Sequence, residues 1–112
     1  VRSYGSEGSG GGTFEYSGSH DFRQSTSAWI IGVGLGSDAD QGTDFFMYLF
    51  NPSDTTFVKH VMIYCNDVQQ NDQYYKYIQN GYINETAAID DIKFYMSSGN
   101  MDGTIKMYGV SG

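Results

Sequence analysis

Residues 87–112 read AAIDDIKFYMSSGNMDGTIKMYGVSG, and this stretch decides the predicted fold. Ile92, Phe94 and Met96 alternate with more polar residues, and Ile105 and Met107 repeat the pattern after a Ser-Ser-Gly-Asn-Met-Asp-Gly connection. A period of two in adjacent runs, with Gly and Asn between them, is typical of an antiparallel hairpin. Because a lone hairpin is only marginally stable in water, this one must join a larger sheet. The stretch therefore predicts an all-β protein.

Strand patterns continue upstream of this hairpin. Residues 13–16 predict a short strand, and residues 25–35 predict a longer one. Residues 43–50 are the most apolar run, which predicts a central strand covered on both faces. An Asn-Pro-Ser-Asp turn at residues 51–54 then leads to residues 57–66, the expected antiparallel partner.

The run of residues 25–35 combines large apolar side chains with glycine. Trp29, Ile31 and Val33 lie on one side of the predicted strand, and Gly32, Gly34 and Gly36 lie on the other. Glycine in a strand usually marks a bulge or a close approach of another backbone. We therefore expect a neighbouring sheet or chain to pack tightly against these glycines.

Residues 67–83 leave two interpretations open. Tyr74, Tyr77 and Ile78 have helical spacing, whereas Tyr75, Tyr77 and Gln79 could line a strand. Polar residues precede this run and a turn-prone Asn-Gly pair interrupts it, so we predict a long loop with a short strand.

The whole pattern predicts six or seven strands at spacings of roughly ten residues, as in an antiparallel β-sandwich of jelly-roll type. At 112 residues the chain is long enough for one domain. We assign residues 1–12 to a flexible Gly/Ser-rich N-terminal segment and residues 13–112 to a single β-sandwich domain. The sequence starts at Val1 with no initiator Met and no signal-peptide pattern, so we expect either a processed N-terminus or, as the preferred interpretation, a fragment of a longer polypeptide.

Composition excludes several classes of partner. The net charge is −7 and the six basic residues are scattered singly, so no nucleic-acid partner is expected. No apolar run approaches the roughly 20 residues that a membrane-spanning helix needs, so we expect a soluble protein without a membrane partner. A single cysteine, Cys65, excludes an internal disulfide framework and is interpreted as a small buried apolar residue.

Chemical motifs are weak throughout the chain. No helical run follows Gly32-x-Gly34-x-Gly36, which a phosphate-binding loop would require. Three carboxylates near residue 40 could bind calcium: Asp38, Asp40 and Asp44. The terminal Glu of a calcium-binding loop is missing, so we interpret these side chains as solvated. His20 and His60 are too isolated for a metal site, and no nucleophile motif occurs. We therefore expect no catalytic residue, no metal, no cofactor and no enzymatic activity.

Four tyrosines are the candidate binding residues: Tyr74, Tyr75, Tyr77 and Tyr82. Aromatic side chains with a polar tip suit sugars or protein partners. The alternative is that these tyrosines pack against the protein's own core.

The segment YLFNPSDTTFVKH at residues 48–60 and the C-terminal stretch together resemble a module of marine tailed-bacteriophage virion proteins. In tail-fibre-like and other virion proteins of this kind, NPS-x-TT-aromatic-x-KH is followed by AID-x-I-x-F-x-SSGN…GTIKLYG. The resemblance spans roughly residues 44–110. It implies a β-sandwich with a role at the virion surface and supplies no catalytic residues.

We therefore expect a non-enzymatic structural module on the exterior of a phage particle, in a capsid decoration, tail fibre or appendage. Its expected partners are other virion proteins and copies of itself in a homo-oligomer. The alternative is a carbohydrate-binding module that recognises host surface glycans at a fibre tip.

Overall fold

The computed structural model describes residues 2–6, 9–16, 18 and 25–111. Within them lie five strands: β1 (Arg2–Ser6), β2 (Ser9–Glu15), β3 (Gly42–Leu49), β4 (Lys59–Val68) and β5 (Gln73–Ile83). The strands form one sheet in the order β2-β1-β5-β4-β3, and all neighbours are antiparallel. The prediction of an all-β, antiparallel fold is confirmed. The two-layer sandwich stays a prediction, because the described residues form a single sheet.

The hydrophobic core lies on one side of this sheet, here called the inner face. Alternate residues of β4 point to it, and Val61, Ile63 and Cys65 are almost fully buried there. Tyr77 of β5 pairs with Cys65 and is only 2% exposed. The period of two along β4 therefore places one complete side of the strand in the core.

The β3–β4 pair confirms the prediction for residues 43–66. Phe45 pairs with Cys65 and Leu49 with Val61, in continuous antiparallel register. The predicted turn between the strands is present, and the Asp54 carboxylate accepts hydrogen bonds from the backbone N–H groups of Thr56 (2.6 Å) and Phe57 (2.7 Å). These bonds stabilise the charged form and hold the pKa of Asp54 below its ordinary value.

The predicted strand at residues 25–35 is wrong. Residues 25–36, here called the strap, are irregular and pack over the inner face, with one isolated bridge between Leu35 and Gln69. Trp29 and Ile31 still point into the core, as their alternation predicted. Outside this bridge, side chains of the sheet hold the strap backbone: Gln79 Nε2 donates to the carbonyl of Ile30 at 2.8 Å.

The expected close approach at the strap glycines does occur, and the neighbour is the sheet itself. A Cβ on Gly32 would lie 3.2 Å from Asp67 Oδ1 and 3.3 Å from Thr43 Oγ1. Gly34 has a φ of 63°, in the left-handed region that favours glycine, and its carbonyl accepts the N–H of Gln70 at 2.9 Å. Small side chains are therefore required where the strap crosses the sheet.

The predicted C-terminal hairpin is also wrong. Residues 84–111, here called the tail, contain no strand. The first part of the tail contacts the sheet: Phe94 packs against Phe45 with ring centroids 5.5 Å apart, and the Ile89 N–H donates to the Pro52 carbonyl at 2.8 Å. Alternation specifies which side of a strand would be buried, but it does not specify a partner strand. No described strand pairs with the tail, so its alternating residues do not form a sheet.

Residues 67–83 differ from the loop that was predicted. Residues 73–83 form β5, the longest of the described strands, and residues 69–72 make a tight turn after β4 in which Asp72 has a φ of 56°. The Gln69 N–H donates to the Gln73 carbonyl at 2.9 Å and closes this turn. The strand interpretation of Tyr75, Tyr77 and Gln79 was the right one, because aromatic residues favour a half-buried pleated surface.

Strand positions at the two sides of the sheet also differ from expectation. β3 pairs only with β4 among the described strands, so it is an edge strand instead of a central one, and its second face is open.

At the N-terminal end, β1 and β2 lie where a flexible Gly/Ser-rich segment was expected. The Arg2 guanidinium and the Glu15 carboxylate form an ion pair at 2.5 Å across these two strands.

A buried lysine joins β4 to the start of the tail. Lys59 is completely buried, and its ammonium group donates to three backbone carbonyls: Phe57 (3.1 Å), Thr86 (2.8 Å) and Glu85 (3.4 Å). A buried ammonium requires such acceptors because it has lost its hydration shell. The side chain therefore sets the direction in which the chain leaves β5.

We predict that Lys59→Met lowers the free energy of unfolding by about 1–3 kcal/mol, because three carbonyls lose their donor while the apolar stem is kept. Urea unfolding followed by fluorescence of Trp29, the sole tryptophan, measures the change. Lys106→Met, at an exposed position of the tail, is the matched control and should change the value by less than about 0.5 kcal/mol. Equal effects of the two substitutions would contradict the assigned role of Lys59.

Candidate functional site

The side of the sheet opposite the core, here called the outer face, carries large apolar side chains that remain exposed. Alternate residues of β3, β4 and β5 point to it, together with Phe50 just after β3. Phe46 is 71% exposed and Tyr82 is 57% exposed, values far above those of the core. The apolar or aromatic members of this face are Phe46, Tyr48, Phe50, Met62, Tyr64, Val68, Tyr74, Ile78 and Tyr82.

The middle of the outer face is a shallow, open groove. Phe46, Tyr48 and Phe50 form one wall, and Met62, Tyr64, Asn66 and Lys76 line the rest. Tyr48 and Phe50 are stacked, with centroids 6.5 Å apart. A shallow apolar and aromatic surface of this kind is suited to contact with another protein, because it is too open to surround a small molecule.

The outer face is nearly free of charge, although the chain as a whole carries −7. Within the fully described strands β3, β4 and β5, its charged positions are Asp44 and Lys76. Both pair with Asn66, so they lie in one row on either side of β4. A surface depleted of charge and enriched in aromatic residues has the composition of the centre of a protein interface.

The structure separates the four candidate tyrosines. Tyr75 and Tyr77 lie on the inner face, where their rings are stacked 5.8 Å apart; Tyr77 is buried and Tyr75 partly buried. Tyr74 and Tyr82 lie on the outer face and are exposed. These two are eight residue steps apart along the strand, which is about 26 Å, so they cannot contact the same sugar ring.

Tyr82 has aromatic neighbours at its end of the outer face. Its ring centroid lies 6.2 Å from that of His60, the residue opposite on β4. Phe50 continues the same row, since its N–H donates to the His60 carbonyl at 3.0 Å. His60 is therefore part of an aromatic row on the outer face and is exposed.

A second polar cluster lies on the inner face, under the strap. The carboxylate of Asp67 is 1% exposed and accepts hydrogen bonds from the Thr43 hydroxyl (2.6 Å), the Cys65 thiol (3.0 Å) and the Val33 N–H (3.1 Å). Its acceptor atoms are satisfied by parts of the protein, and the Val33 bond fixes the strap. The arrangement is structural, because it leaves no opening to a substrate.

Cys65 has the properties of a structural cysteine. Burial and, after it, the hydrogen bond to Asp67 raise the pKa of its thiol from 9.0 to about 12. A thiol that stays protonated at neutral pH is a poor nucleophile and a poor metal ligand. Burial of the neighbouring Tyr77 likewise raises the pKa of its hydroxyl to about 12.

The remaining candidates do not form a common site. Asp38 and Asp40 lie in the loop before β3, whereas Asp44 lies on the outer face. Across residues 2–6, 9–16, 18 and 25–111, no group of three or more His, Cys, Asp and Glu side chains is placed to hold a metal ion. The prediction for His20 lies outside the described residues.

Sequence reasoning missed Phe46, Tyr48 and Phe50 as surface residues. The signal was present in the apolar run of residues 43–50, which was interpreted as a strand covered on both faces. The structure covers one of the two faces. Packing within the described part of the chain therefore does not account for the apolar residues on the outer face of β3.

Comparison with known proteins gives no match, whether against family models, curated proteins or solved structures.

The described part of the chain has no helix with the length and apolar character needed to cross a bilayer.

We predict that the free energy of unfolding falls as pH rises from about 9 to 12. The pKa values of Cys65 and Tyr77 are raised in the folded state. The contribution of these two groups to the free energy of unfolding is therefore complete below the pKa values of the unfolded chain, and it is lost as the pH rises through the pKa values of the folded state. Urea unfolding at several pH values between 8 and 12 checks this. Cys65→Ala should show a smaller decrease, and an unchanged decrease would contradict the assigned thiol pKa.

Proposed function

We propose that the chain is a non-enzymatic structural module on the exterior of a phage particle, where it contacts neighbouring virion proteins through the outer face. The observation that carries the interaction role is the exposure of the aromatic residues of this face. The phage setting is supported by the resemblance of residues 48–60 and 87–112 to virion proteins. A capsid decoration, a tail fibre and an appendage all place such a module beside other proteins.

Leaving the apolar side chains of the outer face in water costs free energy that contact with a partner would recover. Burying apolar surface gains roughly 25 cal/mol for each Å². Phe46 and Tyr48 protrude from the sheet and could bury much of their area against a partner. Aromatic residues at the centre of an interface commonly contribute most of the binding energy. A structural role requires only this association and no catalytic group.

The β-sandwich belongs to the same proposal. The sheet described above supplies one layer, and a layer from a neighbouring protein would pack on the outer face at the usual separation of about 10 Å. The apolar run at residues 43–50 supports this, because strands covered on both faces have such continuous apolar sequences. In this arrangement, the jelly-roll-like sandwich would be completed by assembly.

We predict that mass spectrometry of purified phage particles detects the chain in many copies, as expected for an exterior component. Phe46→Ser should reduce the number of copies per particle, because it removes an aromatic contact from the outer face. Phe57→Ser is the matched control, since Phe57 is equally exposed but lies in the β3–β4 loop. Absence of the chain from particles would contradict the virion role.

A carbohydrate-binding module is the second candidate function, favoured by the exposed ring of Tyr82 beside His60 and Phe50. Aromatic rings offer flat faces on which the apolar side of a sugar can stack. A host surface glycan would then bind at this end of the outer face.

For this second candidate, we predict that the isolated chain binds glycans on an array and that Tyr82→Ala weakens binding about tenfold or more, by loss of a stacking contact. Tyr95→Ala is the control, because Tyr95 has nearly the same exposure but lies in the tail. An array without hits, or equal effects of the two substitutions, would exclude this candidate.

A further inference from the structure

We propose that the occupant of the outer face is a second copy of this chain, related to the first by a twofold axis that runs along β4. The inference rests on the proposed function, since it names the neighbour that covers the same face. It follows from the order of residues across β3, β4 and β5.

The two charged side chains of the outer face lie in one row across the strands. Asp44 on β3, Asn66 on β4 and Lys76 on β5 lie side by side on the outer face. β4 is in the middle, so the negative and positive charges are on opposite sides of it at similar distances. Asp44 and Lys76 are both exposed.

A twofold axis along β4 exchanges the two sides. It places β3 of one copy over β5 of the other and keeps each row at the same height along the strands. Asp44 then faces Lys76 of the second copy, and Lys76 faces Asp44 of the second copy. Two symmetric ion pairs form in this way, because a twofold interface repeats each contact.

Two further rows of the outer face bring apolar side chains together under this operation. Phe46 shares a row with Ile78, and Phe50 shares one with Tyr82. The axis therefore brings Phe46 over Ile78 of the second copy and Phe50 over Tyr82 of the second copy. In these two rows apolar side chains meet, in the row between them Tyr48 lies over Asn80 of the second copy, and the charged row meets its opposite.

A different axis does not give this match. A twofold axis in the plane of the sheet but perpendicular to the strands places β3 over β3 and β5 over β5. Asp44 and Lys76 then remain on different strands and cannot meet each other. Stacked sheets are commonly rotated by about 30°, but this shifts the charged row by only a few Å, which the long Lys76 side chain can span. The charge pattern thus selects the axis along β4.

The size of the face fits a reversible dimer. An axis along β4 overlaps only β3, β4 and β5 of the two copies, and three strands about 4.8 Å apart, with about eight residues at 3.3 Å each, outline roughly 400 Å². Protruding aromatic side chains make the accessible area larger than this outline. A typical stable interface buries about 800 Å² on each partner. We therefore expect dimers that dissociate on dilution.

Charge reversal tests this arrangement. Sedimentation equilibrium of the full 112-residue chain over a range of concentrations should show a monomer–dimer equilibrium. Asp44→Lys and Lys76→Asp should each weaken the dimer about tenfold or more, because like charges then face each other twice. The double variant Asp44→Lys/Lys76→Asp should restore the dimer to within about threefold, since each pair is rebuilt with its signs exchanged.

Asp40→Lys is the matched control, because it changes the net charge equally in an exposed loop outside the outer face. It should leave the dimer unchanged, and circular dichroism should show that all variants remain folded. A chain that stays monomeric at every concentration overturns the inference, as does a double variant that is no better than the single ones.

The outcomes also separate this inference from the virion role. A dimer with the expected charge-reversal pattern in a protein absent from particles supports the pairing and overturns the virion role. A particle-bound chain that is monomeric in solution and insensitive to the charge at Asp44 overturns the pairing and leaves the virion role standing.

Discussion

The fold depends on the inner side of β4, which is buried along its whole length and has a charged residue at each end. Lys59, Val61, Ile63, Cys65 and Asp67 are all at most 2% exposed. The three middle residues supply the core, and the two charges bind backbone groups of the segments that cover it. Asp67 accepts the Val33 N–H of the strap, and Lys59 donates to carbonyls at the start of the tail. A buried charge without such partners would be strongly unfavourable, so each charge also specifies where its segment must lie.

This constraint explains how irregular segments can cover one side of a sheet. A strand satisfies its backbone by pairing with another strand, whereas the strap and the tail need donors and acceptors from side chains. Gln79, Asp67 and Lys59 provide them. The outer face has no comparable group: its polar residues are few and its charged pair spans β4. One side of the sheet is thus organised for contact within the chain, and the other is suited to contact between chains.

The sequence predicted the candidate site only in part. Tyr74 and Tyr82 were identified and are exposed on the outer face, but Tyr75 and Tyr77 share the inner one. The four could not be separated without knowing that residues 73–83 form a continuous strand, because alternation then decides which side each ring takes. Phe46 and Tyr48 were assigned to a covered strand, and their exposure depends on the position of β3 at the edge.

The sequence by itself determined the all-β class, the β3–β4 pair with its turn, and the inward direction of Trp29 and Ile31. These features depend on local propensity and on a period of two, both of which are written in neighbouring residues. Only the tertiary structure decided that the strap and the tail would be irregular, that β5 would be long, and that the outer face would remain open. Those outcomes depend on which segments find partners far away in the chain, and alternation specifies a side to bury without specifying the partner that buries it.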